Sequence, residues 1–194
     1  MFRSVVGFAA ALTIFVGAAP SHAAVIFNAS QSGPDVVFSF SGSLDLTGLS
    51  GPTFSCCSVS QINPQFGNFG TFFGDYDRYT GLLTAPAFGT GGLTATGLRT
   101  GDILNVNGPG LAFNVQQGYV SGDALAGSFT FANATMASLG LTTGNYVYTL
   151  PNDTITLSIP SFPSSEVPLP ASLALMLTGL LALGGTAARR RGRH

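Results

Sequence analysis

The sequence predicts a mainly β protein: an antiparallel β-sandwich or jelly-roll-like body, with an N-terminal signal helix and one C-terminal transmembrane helix. Three observations carry this. Short stretches between Ala24 and Ser161 alternate apolar and polar residues, the two-residue period of strands. Gly, Asn and Asp interrupt them at short intervals, as in "NGPG" and "LTTGN". Uncharged apolar runs of near-membrane length stand at the two ends. Five segments follow: a signal peptide (1–23), the extracytoplasmic body (24–161), a Pro/Ser stalk (162–170), a transmembrane helix (171–188) and an Arg-rich cytoplasmic tail (189–194).

Charge is scarce and segregated. Of 194 residues 8% are charged, against roughly 25% in an average soluble domain. No Lys occurs. Arg3 opens the chain, Arg189, Arg190, Arg191 and Arg193 close it, and only Arg78 and Arg99 lie between. From Ala24 to Glu166 two arginines face eight acids, a net charge of −6. A body of that sign repels phosphate backbones, which argues against nucleic acid as a partner.

At the N-terminus, Arg3 precedes an apolar stretch, Val5 to Ala19, which Pro20 breaks. Ser21 and Ala23 then place small residues three and one before a cut between Ala23 and Ala24. This is the pattern of a cleaved secretory signal, with the Sec translocon and signal peptidase as partners. As a helix the apolar stretch reaches only about 22 Å, short of the roughly 30 Å hydrocarbon core, so an uncleaved anchor is the weaker reading.

Within the body, "VVFSFSGSLDL" sets Phe38, Phe40, Gly42, Leu44 and Leu46 on one face, against Ser39, Ser41, Ser43 and Asp45. Cys56 and Cys57 are adjacent, and export favours their oxidation. A vicinal disulfide, free thiols and bonds between chains all remain open; no C-x-x-C redox motif exists. In "GDYDRYTG", Asp75 and Asp77 are spaced to share a strand face. They are candidates for Ca²⁺ or glycan contact, or for a glycosidase pair, against a plain polar turn with Arg78 as counter-ion. Tyr76, Tyr79 and Phe73 would supply a stacking platform for sugar. Further on, "ALAGSFTFA" directs Leu125, Phe129 and Phe131 inward, and "ATMASLGL" suggests a helical turn. "GNYVYTL" alternates, and "TITLSI" buries Ile155, Leu157 and Ile159. Solvent faces are built from Ser, Thr, Gly and Asn, which suits a polysaccharide-rich exterior.

The end of the chain is organised in three parts. Val167 and Leu169 each precede a proline, which pushes them toward extended geometry and makes "PSFPSSEVPLP" a stiff stalk. Leu169 to Ala188 is uncharged and would reach about 30 Å as a helix, enough to span once. Arg189, Arg190, Arg191 and Arg193 then stop transfer and hold the C-terminus inside. Gly and Thr dilute the leucines of the span, as befits an anchor that can be removed. Ala174, Thr178, Ala182 and Thr186 recur every four residues, spacing that permits close helix approach, although small residues are simply common there.

The motif Val167-Pro168-Leu169-Pro170-Ala171, the apolar helix and the Arg cluster together resemble the PEP-CTERM sorting signal of exported proteins, in its VPLPA-type variant. Leu169 stands where the commonest motif has Glu. The resemblance implies a Gram-negative bacterium, an inner-membrane-anchored precursor, processing by an exosortase, and transfer to the cell surface or extracellular matrix. A GPI signal also has a removable apolar end, but would finish in apolar residues rather than arginines. The stretch "GYVSGDALAGSFTFANATMASLGLTTGNYVYTL", Gly118 to Leu150, also resembles a block found in PEP-CTERM bodies. That similarity implies architecture and no particular chemistry.

The two histidines are His22 and His194, outside the body, which therefore has neither His nor Lys. Ser–His–Asp and Cys–His mechanisms, His-ligated zinc and Schiff-base lysines are thereby excluded from it. The expectation is a non-catalytic exported protein without cofactor, structural or adhesive, linked to exopolysaccharide and biofilm. A glycan- or Ca²⁺-binding module is the alternative, and a carboxylate-dependent hydrolase comes third.

Overall fold

A computed structural model describes residues 24–161. The readings made for 1–23, 162–170, 171–188 and 189–194, with Val167–Ala171 and the four terminal arginines, lie outside the described residues, as does Ala23. Ala24 is the first described residue and lies in the first strand.

Thirteen strands follow in order: β1 (Ala24–Ser32), β2 (Asp35–Gly42), β3 (Ser50–Cys56), β4 (Ser60–Asn63), β5 (Asn68–Thr71), β6 (Asp75–Thr80) and β7 (Thr94–Thr96). Then come β8 (Leu98–Gly101), β9 (Leu104–Asn107), β10 (Ala112–Gln116), β11 (Leu125–Phe131), β12 (Gly144–Thr149) and β13 (Thr154–Ile159). They form a six-stranded sheet, β12-β13-β1-β2-β11-β8, and a seven-stranded sheet, β3-β6-β10-β9-β5-β4-β7. The two pack as a sandwich, since each has one apolar face and neither can bury it alone. The expected antiparallel pairing needs one correction: β1 and β13, in the interior of the six-stranded sheet, run parallel from Ala24↔Thr154 to Asn28↔Ser158. A period-two pattern fixes which side chains face inward but is blind to strand direction, so this pairing was not legible in it. Among the described residues the only helix is the 3-10 turn Pro64–Phe66.

The inward residues are the expected ones. Phe38, Phe40, Leu44, Leu125, Phe129, Phe131, Ile155, Leu157 and Ile159 are all buried. Aromatic rings join the layers: Phe69 of β5 meets Phe27 of β1 edge-on at 4.9 Å and Tyr148 of β12 at 5.1 Å. Each such fully buried ring contributes about 1.5–3 kcal/mol through apolar burial, and the edge-on geometry favours one fixed arrangement.

The block from Gly118 to Leu150 works as a set of structural ties. The Tyr119 hydroxyl accepts the Leu44 N–H at 2.8 Å and donates to the Asp123 carbonyl at 2.7 Å. Ser121 Oγ accepts the Leu46 N–H at 2.9 Å, and the Gly122 N–H reaches the Leu44 carbonyl. Together these pin the segment after β2 to the loop before β11. In "ATMASLGL", Thr135 and Ser138 cap each other reciprocally, and the Leu139 N–H bonds the Thr135 carbonyl at 3.0 Å. One helical turn results. It stops at Gly140, whose φ of +64° and whose contact with the Gly91 backbone leave no room for a Cβ. Tyr148 ends the series, its hydroxyl donating to the Pro86 carbonyl at 2.8 Å.

Acids serve the same purpose. Carboxylates of Asp35, Asp45, Asp77, Asp102 and Asp153 each accept a backbone N–H, from Asn133, Thr47, Gly118, Ala126 and Asp45 respectively. A carboxylate accepting a backbone N–H makes a charge-assisted bond, stronger than a neutral one. In a body with so few charges, most described acids thus hold loops in place.

Candidate functional site

Strand β6 separates the residues that the sequence grouped. Asp75 and Asp77 do lie on one side of it, while Tyr76 lies on the other with Arg78, because successive strand residues point to opposite faces. Asp77 is 8% exposed and accepts the Gly118 N–H at 2.9 Å; Asp75 is exposed at the strand's start. Tyr79 is buried on the Asp77 side and stacks on Phe113 at 5.6 Å, so it cannot serve as an exposed platform. Phe73 is half-buried, its ring covered by the Arg99 guanidinium at 4.6 Å. Among the described residues no three His, Cys, Asp or Glu side chains gather where they could hold a metal ion.

Tyr76 instead belongs to the outer face of the seven-stranded sheet. Register places Gln116 beside Tyr76, and Asn114 beside Arg78. Asn105 lies across from Asn114, Gly70 across from Asn105, and Gln61 across from Gly70. One row therefore runs Arg78–Asn114–Asn105–Gly70–Gln61 over five strands, with a glycine where a side chain would stand. The amides are linked: Asn114 Nδ2 donates to Asn105 Oδ1 at 3.2 Å, and Asn105 Nδ2 donates to Asn68 Oδ1 at 3.3 Å. Asn105 and Asn114 are each only 1% exposed. The relay spends donors in one direction and leaves acceptors over. Asn114 Oδ1, Gln116 Oε1 and Asn63 Oδ1 are buried and have no hydrogen-bond partner. All three residues lie on this outer face, because the inward positions of β4, β5, β9 and β10 are taken by Ile62, Phe69, Leu104, Val106, Phe113 and Val115. Tyr76 flanks the row, its ring 5.1 Å from that of Phe72.

Sequence reasoning missed this face. Its signal was "LNVN" followed by "AFNVQ", two strands with Asn or Gln at every second position. Alternation alone reads as a solvated side; only pairing shows the amides meeting each other and being covered.

No protein-family model matches the chain, and no curated protein or solved structure matches it significantly.

Cys56 and Cys57 are joined as a vicinal disulfide at the exposed end of β3. Strand β3 is an edge of the seven-stranded sheet, and Phe54 (58% exposed) and Val59 (54%) stand near the bridge in sequence. Pro52 and a register shift between Ser50 and Thr53 interrupt the edge, which discourages another strand from adding there.

Several groups titrate away from their ordinary values. Bonds from the Thr47 side chain and N–H hold the Asp45 carboxyl below the usual range. Burial raises the Tyr148 hydroxyl far above its ordinary value and raises Tyr119 as well. Tyr79 is raised by burial first and by the Asp77 charge second.

Proposed function

We propose that this chain is an exported, non-catalytic surface or matrix protein. On this reading a PEP-CTERM-like tail tethers it briefly to the inner membrane, and an exosortase removes that tail. The observation that carries the reading is the order of three parts after the body: Val167–Ala171, an uncharged run to Ala188, and the arginines from Arg189. One feature of the body supports it: the Gly118–Leu150 block is spent on ties between loops, as expected of a scaffold.

For the body itself we favour the sandwich over the jelly-roll alternative. Its support is that many neighbouring strands are successive hairpin partners, as in β1–β2, β4–β5, β9–β10 and β12–β13. The hydrolase reading loses ground because Asp77 is buried and already bonded, whereas a glycosidase pair must flank a sugar.

Mass spectrometry of the protein recovered from its host tests the reading. Released material is expected to begin at Ala24 and to lack the residues after the proline motif. Released material with an intact Arg-rich terminus would overturn it.

A further inference from the structure

We infer that the Cys56–Cys57 bridge is a thiol-exchange site, at which a neutral or cationic thiol is taken up as a mixed disulfide.

The bridge is open to attack and ties nothing together. Both cysteines are exposed, at the end of an edge strand. Exchange needs a thiolate to reach sulfur, which a buried bridge denies. Linking neighbours closes almost no loop, so the bridge adds little to the fold. The chain around it is held by β6 instead, through the pairs Ser55↔Tyr76 and Cys56↔Asp75, and by the Cys57 N–H on the Gly74 carbonyl at 3.2 Å. Cys57 also stands at φ +67°, a left-handed conformation that residues with a Cβ rarely adopt, and opening the bridge removes one restraint on it.

The exchange balances without an oxidant. The incoming thiolate bonds to one cysteine sulfur, and the Cys–Cys bond breaks. Its electron pair leaves on the other sulfur, which takes a proton from water. One disulfide has replaced another. The released thiol belongs to the neighbouring residue, so it can attack in turn and expel the guest. Uptake is therefore reversible, and the chain has no third cysteine to intercept it.

Charge selects the guest. Asp75 is exposed and pairs directly with Cys56, which puts their Cβ atoms about 4.5–5.5 Å apart on one face. A thiol that carries a carboxylate or sulfonate is repelled there, and one that carries an ammonium is attracted. The nearby arginines do not reverse this. Arg78 lies on the opposite side of β6, while Arg99 covers the Phe73 ring and bonds the Gly97 carbonyl.

The test exposes the detergent-solubilised full chain, at low ionic strength, to cysteamine, mercaptoethanol or mercaptoethanesulfonate. Samples are quenched in acid and weighed intact. With only two cysteines in the chain, any added thiol mass reports this bridge, and the double variant Cys56→Ser, Cys57→Ser should gain none. The opening rate is expected to rise in proportion to thiol concentration. Scaled to each thiol's rate on hydroxyethyl disulfide, cysteamine should react about tenfold faster than mercaptoethanesulfonate, and salt should narrow the gap. Asp75→Asn should remove most of that preference without lowering the melting temperature. Non-reducing gels after trace thiol distinguish two sources of guest: a linked dimer identifies a second copy of the chain, and a monomer carrying only added thiol mass identifies a small molecule. Either is expected of an exchange site. A bridge that never opens, or opens at a rate independent of thiol concentration because unfolding limits it, overturns the inference. Equal scaled rates for the cationic and anionic thiols, in wild type and Asp75→Asn alike, overturn the selection by charge. None of these results depends on how the tail is processed.

Discussion

Removing one oxygen from Tyr119 should cost more than its size suggests. The ring is 7% exposed, and its hydroxyl is the acceptor for the buried Leu44 N–H at 2.8 Å while donating to the Asp123 carbonyl at 2.7 Å. Tyr119→Phe keeps the ring's packing and strands that N–H beside the fully buried Leu44 side chain. A buried donor left without a partner costs about 1–3 kcal/mol. For a body of this size that lowers the melting temperature by roughly 4–10 °C. Tyr146 supplies the control. Its hydroxyl donates to the Thr142 carbonyl at 2.9 Å in an exposed setting where water can replace it, so Tyr146→Phe should shift melting by only about 1–2 °C. Near-ultraviolet circular dichroism of both variants during heating reads the difference. The reasoning fails if Tyr119→Phe melts with wild type, or if the two variants lose equally.

Two further outcomes follow from the same structure. Reducing the Cys56–Cys57 bridge, or replacing both residues with Ser, should leave the melting temperature within about 2 °C, because linking neighbours closes almost no loop in the unfolded chain; calorimetry with and without a reductant checks this, and a large drop would give the bridge a structural role. Stability should be flat through neutral pH and decline above about pH 10: Tyr79, Tyr119 and Tyr148 keep their protons in the fold, whereas the unfolded chain releases them, so their contribution is full below the ordinary tyrosine value and is lost as pH rises beyond it. Urea midpoints from pH 7 to 12 measure this, and a midpoint that does not fall would refute it.

The proposed delivery and the layering both rest on local patterns in the linear chain. Signals of the proposed kind are read by machinery that meets the polypeptide as a strand, so their content is local: Ser21 and Ala23 before the expected cut, two prolines around Leu169, arginines after an apolar run. The inward faces were equally local. A two-residue period assigned Phe38, Phe129 and Leu157 to the core without knowledge of any partner, since alternation is a property of a single strand.

What a residue meets depends on pairing, and pairing joins positions far apart. No local pattern could place Thr154 alongside Ala24 in parallel, put the Tyr119 hydroxyl on Leu44, or bury Tyr79 against Phe113. The same holds for the candidate face. Asn68, Asn105 and Asn114 become one relay only when β5, β9 and β10 lie side by side in register. Hydrogen-bond partners are a property of that three-dimensional arrangement, and so is the lack of one at Asn114 Oδ1.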